Sequence, residues 1–370
     1  MNRLVNVRAS AVYLPQQCVS SETLDRQQGL AIGSSLSKSG VAVRYYAGQE
    51  TQSQMAKKAI DKALSDAGLE LDDIDCLIAA SGTMEQSIPC NAAKILAQYG
   101  ANVSTCAFDI NMTCLSALQA LDLAASMIAA KQYKTILIVS SEVASVGLAS
   151  DDVAVKALFG DGSAAFIVGA CPTLDSLELE APSLDLAKVE SREVDTASTK
   201  SAQHSCRAKN KTPNIQIVNS HFRTYPAGVD LCEIRGGGSL YHPSKIEGDY
   251  RAYGVFSMQG KELYRQTASV IDQFLCELLS PVDLQLNHID WVVPHQASGK
   301  GLKRLFKRLG IATDKVVNLL ASRGNQISVS IPAALHELLR SYPVKPGHRI
   351  LLIGSSAGLS LGAMVLVYEP

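Results

Sequence analysis

The chain has 370 residues, of which 47% are hydrophobic and 19% are charged, and its formal net charge is −1. This composition predicts a globular protein long enough for two domains or two fused halves, and it excludes a global basic field that would recruit nucleic acid. No apolar run approaches the roughly 20 residues that span a bilayer, and the first residues form an alternating strand pattern rather than a signal peptide.

The nine cysteines are odd in number, and none of them forms a C-x-x-C pair. In a chain of this length that pattern argues against a disulfide framework and against a structural zinc site. We therefore expect core thiols in a reducing, cytoplasmic protein, with no metal and no cofactor.

Hydrophobic periodicity predicts alternating strands and helices through the first half. Strands are expected at 5–13, 74–80 and 135–140, with a short strand that ends near Ile110 and another, after the turn that begins at Phe159, that ends near Gly169. The helices are expected at 51–67, 91–99 and from Cys114 to about Ala130. Residues 29–40 are rich in glycine and serine and are expected to form a loop.

After about residue 183 the composition changes to a Lys-, Ser- and Glu-rich segment with little periodicity, which predicts an exposed insertion at 183–213. Further strands are expected at 215–220, 230–234, 289–293, 350–353 and 362–368, and helices at 260–279, 300–309 and 332–339. The expected division is an N-terminal half 1–171, an insertion with connecting strands 172–250, and a C-terminal half 251–370.

Two stretches of the first half recur in the second. Residues 69–78 and 284–293 share the pattern L-x-L-x-x-I-D before an apolar strand, and residues 135–141 parallel residues 349–355. Since the two matches occur in the same order, they predict two similar α/β halves related by a pseudo-two-fold axis. Ligands of such sheets bind where the carboxyl ends of strands meet.

Cys114 lies where a short strand gives way to an Ala- and Leu-rich helix. The positive end of a helix dipole favours a thiolate, and a thiolate is a nucleophile. The alternative for this residue alone is a small core thiol.

His295 and Asn325 also follow apolar stretches, in Val-Val-Pro-His-Gln-Ala and Arg-Gly-Asn-Gln-Ile. Taken singly, His295 could be a hydrogen-bonded structural residue and Asn325 a turn residue.

Together these residues resemble the ketoacyl-acyl-carrier-protein synthase III family of condensing enzymes, in the thiolase superfamily. The resemblance covers nearly the whole chain outside about 183–213. Its motifs are Cys114 before the central helix, Gly-Asp-Gly-Ser-Ala at 160–164, Pro-His-Gln-Ala at 294–297, Gly-Asn at 324–325 with Ser-Ile-Pro after it, and a Gly-rich C-terminal turn. It implies a thiolase-like α/β fold with two pseudo-symmetric halves in a layered αβαβα arrangement.

The resemblance implies that Cys114 is acylated by a thioester and that His295 and Asn325 promote decarboxylation of a malonyl- or 3-oxoacyl-carrier thioester. The enolate then attacks the acyl group in a Claisen condensation. In the family the oxyanion hole consists of backbone N–H groups, which here match Cys114 and Ala357. The expected product pathway is fatty-acid, specialised lipid or polyketide synthesis.

Two departures from the family pattern bear on the substrate. The tryptophan that stacks on coenzyme A in familiar members would fall within 29–40, but the single tryptophan is Trp291. The aromatic residue that caps the partner subunit's acyl pocket corresponds to Ile88. Both changes favour a medium or long primer over acetyl-coenzyme A.

Glu85 has two interpretations. It is either an exposed loop carboxylate or, as in relatives that join two long acyl chains, a base that reaches the partner's active site. The second would make the enzyme a non-decarboxylative condensing enzyme. A simple acyltransferase and a silent carrier-binding subunit remain as further alternatives.

A basic helix follows His295, with no acidic residue between Lys300 and Leu309. Its basic residues recur at steps of three and four, so most share one face; they are Lys300, Lys303, Arg304, Lys307 and Arg308. The alternative is a solvated helix face, but the family docks its acidic acyl carrier protein beside this helix. The expected partners are therefore acyl carrier protein or coenzyme A thioesters and a second copy of the chain, with no nucleic acid and no membrane insertion.

Overall fold

The computed structural model describes residues 3–148, 152–171 and 213–369. The insertion expected at 183–213 lies outside the described residues except for Pro213. None of the helices in the described ranges is long and apolar enough to cross a membrane.

Within these ranges the chain forms thirteen strands and ten α-helices. The strands are β1 Arg3–Tyr13, β2 Gln17–Ser20, β3 Val43–Tyr46, β4 Cys76–Ala80, β5 Cys106–Ile110, β6 Thr135–Glu142, β7 Gly162–Gly169, β8 Asn214–Thr224, β9 Cys232–Ile234, β10 Phe256–Met258, β11 Trp291–Pro294, β12 Arg349–Ser356 and β13 Ser360–Glu369. The helices are α1 Ser21–Gln27, α2 Ser34–Ser39, α3 Gln52–Ala67, α4 Asn91–Ala97, α5 Ser116–Ala129, α6 Val153–Lys156, α7 Gly260–Leu279, α8 Gly299–Arg308, α9 Leu320–Arg323 and α10 Ser330–Ser341.

Nine of the strands form one mixed sheet, in the order β11-β12-β13-β8-β1-β7-β6-β4-β5. Strand β4 is parallel to both β5 and β6, and β11 is parallel to β12, whereas the other pairs are antiparallel. Strands β4, β6 and β7 are buried along their whole length, which explains why they are continuous apolar or small-residue runs rather than alternating ones.

The predicted repeat is present down to individual hydrogen bonds. Asp75 donates its N–H to the Thr135 carbonyl, and its carboxylate accepts the Thr135 N–H at 2.8 Å. In the second half Asp290 does the same with Arg349, again at 2.8 Å. The aspartate of each L-x-L-x-x-I-D copy therefore anchors one strand to its neighbour, β4 to β6 in the first half and β11 to β12 in the second.

The layers follow from the contacts of the long helices. Helix α3 packs on β1, β6 and β7, and α7 packs on β8 and β13. Helices α5 and α10 contact each other, and each contacts strands from both halves. The main core cluster accordingly joins α5 and α10 to strands of both halves, while α3 and α7 bury separate outer clusters. This is the layered α/β thiolase fold that the sequence predicted.

Two local predictions were wrong. The stretch 29–40 contains helix α2, because glycines with positive φ, Gly33 and Gly40, bound it and the Asp25 carboxylate accepts the N–H groups of Gly33 and Ser35. Helix α5 begins at Ser116 rather than at Cys114, which lies in a preceding 3₁₀ turn.

Candidate active site

Cys114 lies in the 3₁₀ turn Thr113–Leu115 between β5 and α5. Thr113 has φ of +49°, a left-handed conformation that a β-branched residue rarely adopts. Side chains on either side hold the turn: Asn111 Oδ1 accepts the Thr113 N–H at 2.9 Å, and Ser116 Oγ accepts the Met112 N–H at 2.9 Å. The nucleophile is therefore presented on a sharp turn that its neighbours enforce.

The Asn325 turn has the same construction in the second half. Ile327 has φ of +50°, Asn325 Oδ1 accepts its N–H at 2.9 Å, and Ser330 Oγ accepts the Gln326 N–H at 3.2 Å. The pseudo-symmetry therefore equates Asn111 with Asn325 and Cys114 with Ser328. The sequence carries this signal as N-x-x-C-x-S at 111–116 and N-x-x-S-x-S at 325–330, which the sequence analysis missed.

Gly82 lies between the two turns. A Cβ on Gly82 would be 2.8 Å from Ile327 Cγ2 and 3.2 Å from the Thr113 backbone, so only glycine allows both turns to approach here. Each non-glycine residue in a left-handed conformation costs about 1–3 kcal/mol of folding free energy. The packing around Gly82 keeps Thr113 and Ile327 in this conformation. The nucleophile turn and the Asn325 turn are thereby brought into contact.

Backbone hydrogen bonds at the Gly-Asp-Gly motif hold the main chain of Asn325 in place. The Asn325 N–H donates to the Leu158 carbonyl at 2.8 Å, and the Gly160 N–H donates to the Asn325 carbonyl at 3.0 Å. Since Asn325 Oδ1 is occupied by the Ile327 N–H, the amide group left for a ligand is Nδ2, a donor. This Nδ2 has no hydrogen-bond partner among the described residues.

His295 follows strand β11 and is 3% exposed. Its backbone N–H donates to the Ile353 carbonyl at 2.8 Å, and a Cβ on Gly354 would lie 2.7 Å from the His295 Cβ and 3.0 Å from Leu115 Cδ2. The absence of a side chain at Gly354, in strand β12, thus lets His295 approach the residue next to Cys114. Burial lowers the pKa of His295 to about 4, so its imidazole is neutral at pH 7, and Nδ1 has no hydrogen-bond partner among the described residues.

The neighbouring Gln296 explains why the motif continues Pro-His-Gln-Ala. Its Nε2 donates to the Pro294 and Val317 carbonyls, and its Oε1 accepts the Leu319 and Leu320 N–H groups. A fully satisfied buried amide fixes the strand end, and His295 is left available for chemistry.

The environment of the Cys114 thiol contradicts the expectation of a stabilised thiolate. Burial, the negative charge of Glu142 and the neighbouring Cys232 thiol raise the pKa of Cys114 to about 12. Two backbone N–H groups, those of Ala357 and of Cys114 itself, oppose this rise but do not outweigh it. The physical reason is that the turn buries the sulfur beside an acidic group, whereas the dipole argument considered only the following helix.

The two opposing N–H groups are the pair that the family resemblance assigns to the oxyanion hole. Ala357 follows strand β12, and its backbone N–H is near enough to the Cys114 sulfur to favour the thiolate form. The turn from 356 to 360 that presents it has positive φ at Gly358 and Leu359.

Glu142 was missed by the sequence analysis. It ends strand β6, is fully buried and accepts hydrogen bonds from Gly82, Thr83 and Ser328. Burial raises its pKa to about 7, against the effect of these donors. A glutamate at the end of a buried strand was a visible signal, but its partners are far away in sequence.

Glu85 is engaged within its own chain. Its Oε2 accepts the Ser53 N–H at 2.7 Å near the start of α3, and its Oε1 lies 3.2 Å from Lys94 Nζ in α4. The donors of Ser53 and Lys94 outweigh burial and lower the pKa of Glu85. The carboxylate therefore links two helices of its own subunit and is not a free, exposed loop carboxylate. Its role as a base in the partner's active site stays a prediction.

Ile88 is 84% exposed, which makes it one of the most exposed large apolar side chains in the described part of the chain. It lies in the same loop as Met84, which is 55% exposed. This exposure agrees with a residue that contacts another molecule.

The basic residues of α8 are exposed. Arg308 forms an ion pair with Asp272 of α7 at 2.5 Å, so its charge is largely neutralised. The other four, Lys300, Lys303, Arg304 and Lys307, form no ion pair with any described residue. Among those residues there is also no cluster of three or more His, Cys, Asp and Glu side chains suited to a metal.

Comparison with known proteins finds two family models that match parts of the chain and full-length relatives of the same name. The C-terminal model of 3-oxoacyl-[acyl-carrier-protein] synthase III matches residues 279–368, and the synthase III model matches residues 108–181. The chain is 29% identical to the beta-ketoacyl-[acyl-carrier-protein] synthase III of Rhodospirillum rubrum over 96% of both chains.

Solved structures show the same fold. The 3-oxoacyl-(acyl carrier protein) synthase III of Pseudomonas aeruginosa PAO1 is 23% identical, with a TM-score of 0.78 over 100% of this chain and 99% of that one. The synthase III of Aquifex aeolicus VF5 is 25% identical, with a TM-score of 0.76 over 98% of this chain and 100% of that one.

The raised pKa of Cys114 predicts the pH dependence of its alkylation. Because the thiolate is the reactive form, the rate with iodoacetamide should rise about tenfold per pH unit from pH 7 to pH 9 without a plateau. Peptide mass spectrometry separates Cys114 from the exposed Cys18, Cys90 and Cys276, and the C114A variant provides the blank. A plateau near pH 7 would show a stabilised thiolate and refute this assignment.

Proposed function

We propose that the chain is an acyltransferase of the 3-oxoacyl-[acyl-carrier-protein] synthase III family and that it performs a decarboxylative Claisen condensation in which Cys114 carries the acyl group. The observation that carries this proposal is the contact of the Asn325 turn and the end of β12 with the Cys114 turn. It brings a nucleophile, two N–H groups at its sulfur and the unpartnered Asn325 Nδ2 to one place.

In the first half-reaction the Cys114 sulfur attacks the thioester carbonyl of the acyl donor. The thiol is protonated and His295 is neutral at pH 7, so the thiol proton leaves as the carbon–sulfur bond forms. The neutral imidazole has a lone pair that accepts this proton and returns it to the departing thiolate of the donor. The products are an acyl thioester on Cys114 and the free thiol of the donor.

The oxyanion of this step forms beside the sulfur. The N–H groups of Cys114 and Ala357, which already interact with the sulfur, are placed to donate to that oxygen. Backbone donors aimed at a developing charge in a dry site contribute several kcal/mol, with about 2.7–4 kcal/mol for a single donor in comparable enzymes.

In the second half-reaction a malonyl-type thioester loses CO₂, and the electrons of the broken bond form an enolate. Its oxygen needs donors, and the two available side-chain donors are the His295 imidazole N–H and Asn325 Nδ2. Neutral His295 still carries one N–H. The enolate carbon then attacks the acyl carbonyl on Cys114, the carbon–sulfur bond to Cys114 breaks, and the Cys114 thiolate that leaves takes up a proton from solvent, because its original proton departed with the donor thiol.

The alternatives receive less support from the contacts. Glu85 is bound to Ser53 and Lys94 of its own chain, so a non-decarboxylative route would have to break an ion pair first. A simple acyltransferase needs neither the Asn325 turn nor its Gly160 support. A silent subunit would not need an Ala357 N–H aimed at the Cys114 sulfur.

The same proposal includes a homodimer, with β5 at the sheet edge next to its counterpart and the exposed Ile88 closing the partner's acyl pocket. An aliphatic side chain in place of a ring leaves room for a longer primer, and each additional buried methylene contributes about 0.8 kcal/mol. The four unpaired basic residues of α8 are the proposed docking surface for an acidic acyl carrier protein.

The Asn325 variants test the decarboxylation step. Asn325→Asp keeps the oxygen that accepts the Ile327 N–H but removes the Nδ2 donor, so malonyl decarboxylation should fall about 10²–10³-fold, while Cys114 acylation changes little. His295→Ala should likewise slow decarboxylation more than acylation. The measurements are CO₂ release and acyl-enzyme mass.

The matched control is Asn318→Asp, because Asn318 Oδ1 also accepts an N–H two residues later, that of Leu320. It should leave both half-reactions unchanged. Equal losses in acylation and decarboxylation for Asn325→Asp would contradict the assigned role.

The primer prediction concerns Ile88. The unmodified enzyme should acylate Cys114 faster with hexanoyl, octanoyl or dodecanoyl donors than with acetyl, and Ile88→Phe should restore a preference for short primers by filling the pocket. Met84→Phe adds a ring to the same loop and should not shift the preference. A clear preference of the unmodified enzyme for acetyl-coenzyme A would overturn this prediction.

The carrier prediction concerns the charge on α8. Donors on carrier protein should outperform coenzyme A donors, and the double variant Lys303→Glu/Lys307→Glu should remove that advantage by raising KM for the carrier-bound donor. The variant Lys261→Glu/Lys345→Glu makes the same change in net charge elsewhere and serves as the control. If both double variants weaken carrier-bound donors equally, α8 is not the docking surface.

A further inference from the structure

Glu142 is a buried carboxylate whose hydrogen-bond donors are all neutral. Its Oε1 accepts the Gly82 N–H and the Ser328 hydroxyl, and its Oε2 accepts the Thr83 N–H at 3.1 Å and the Thr83 hydroxyl at 2.5 Å. It forms no ion pair in the described part of the chain. Burying a carboxylate without a cationic partner costs folding free energy, so a contribution to stability does not explain why a glutamate lies here.

The donors come from two loops on opposite sides of the site. Gly82 and Thr83 follow β4 in the N-terminal half, and Gly82 packs directly on the backbone of Thr113. Ser328 belongs to the Asn325 turn of the C-terminal half. One carboxyl group therefore ties the loop beneath the nucleophile to the turn that presents Asn325.

The pseudo-two-fold symmetry relates this contact between β6 and the Ser328 turn to an equivalent contact between β12 and the Cys114 turn. Thr135 and Arg349 are equivalent by their hydrogen bonds to Asp75 and Asp290, so the end of β6 at Glu142 corresponds to the end of β12 at Ser356. The end of β12 contacts the turn of Cys114, and the N–H of Ala357, the residue after Ser356, acts on the Cys114 sulfur. Each strand end thus supports the turn of the opposite half: β12 supports Cys114, and β6 supports Ser328, the counterpart of Cys114.

We propose that Glu142 is a positioning residue that holds the Asn325 turn of the C-terminal half in register with the nucleophile turn of the N-terminal half. This inference rests on the proposed decarboxylative function, because it is the Asn325 Nδ2 donor that the link positions. Glu142 acts through Ser328 and Gly82 and needs no contact with substrate.

The carboxylate has a second, electrostatic consequence for the same site. Its negative charge is one of the causes that raise the pKa of Cys114. The groups that face it are the Cys114 thiol, the hydroxyls of Thr83 and Ser328, and the backbone N–H groups of Gly82 and Thr83. A change of charge at residue 142 should therefore alter the thiol, whereas a loss of the Ser328 link alone should not.

Two variants separate positioning from charge. Glu142→Gln removes the charge and disturbs the acceptor pattern, so Cys114 should be alkylated about tenfold faster between pH 8 and pH 9, and malonyl decarboxylation should fall roughly ten- to a hundredfold. Ser328→Ala keeps the Glu142 carboxyl group but cuts the link, so decarboxylation should fall. Because the Ser328 hydroxyl lowers the pKa of Glu142, the alkylation rates are compared at pH 9, where they should stay within about twofold of the unmodified protein's. In both variants the acylation of Cys114 at saturating donor should change less than decarboxylation.

The matched control is Asp25→Asn. Asp25 is also a fully buried carboxylate that holds a loop, through the N–H groups of Gly33 and Ser35, and it is not among the groups that act on Cys114. This variant should lower the melting temperature without moving the alkylation profile.

A merely structural Glu142 would behave like Asp25, with lower stability, equal losses in both half-reactions and an unchanged alkylation profile, and that result would overturn the proposal. Normal decarboxylation in Ser328→Ala would overturn it as well, even if Glu142→Gln failed to fold. An unmodified protein that never decarboxylates a malonyl thioester would refute the proposed function, and the alkylation profiles would then still decide whether Glu142 acts on Cys114.

Discussion

The structure depends on one steric constraint, the close approach of two left-handed turns at Gly82. Thr113 and Ile327, both β-branched, have φ near +50°, and both pack against this glycine. Each turn is held by an asparagine and a serine in equivalent positions. Because the turns come from different halves of the chain, the pseudo-two-fold arrangement of the two halves is what assembles the nucleophile and its decarboxylation donors.

Burial then determines the protonation states in the site. The Cys114 thiol is protonated and the His295 imidazole neutral at pH 7, so the resting site holds no thiolate–imidazolium pair. A site of this kind is inert toward adventitious electrophiles and reacts when a donor carbonyl is placed between the sulfur and the N–H groups of Cys114 and Ala357. The neutral imidazole also retains the N–H that an enolate oxygen requires.

Much of the fold could be predicted from the sequence because its signals are local. The repeated L-x-L-x-x-I-D pattern identified two halves, and the hydrogen bonds of Asp75 and Asp290 explain that repetition. Cys114, His295 and Asn325 were identified because their motifs, taken together and in order, resemble those of a known family. The protonation state of the Cys114 thiol was predicted wrongly, because the sequence shows the following helix but not the effect of Glu142, which is distant in sequence but acts on the sulfur.

The Glu142–Ser328 contact spans 186 residues and has no local sequence pattern. Only a comparison of the two N-x-x-[CS]-x-S motifs would have indicated that Ser328 has a role.

The central claim is that Cys114 carries an acyl group into a carbon–carbon bond formed by decarboxylation. The most direct measurement is a single turnover of isolated acyl-Cys114 enzyme with a malonyl thioester, with CO₂, 3-oxoacyl product and residual acyl-enzyme quantified together. We predict that each acyl group lost from Cys114 appears in one 3-oxoacyl product and is matched by one CO₂. Loss of the acyl group as free acid, or condensation without release of CO₂, would contradict the account.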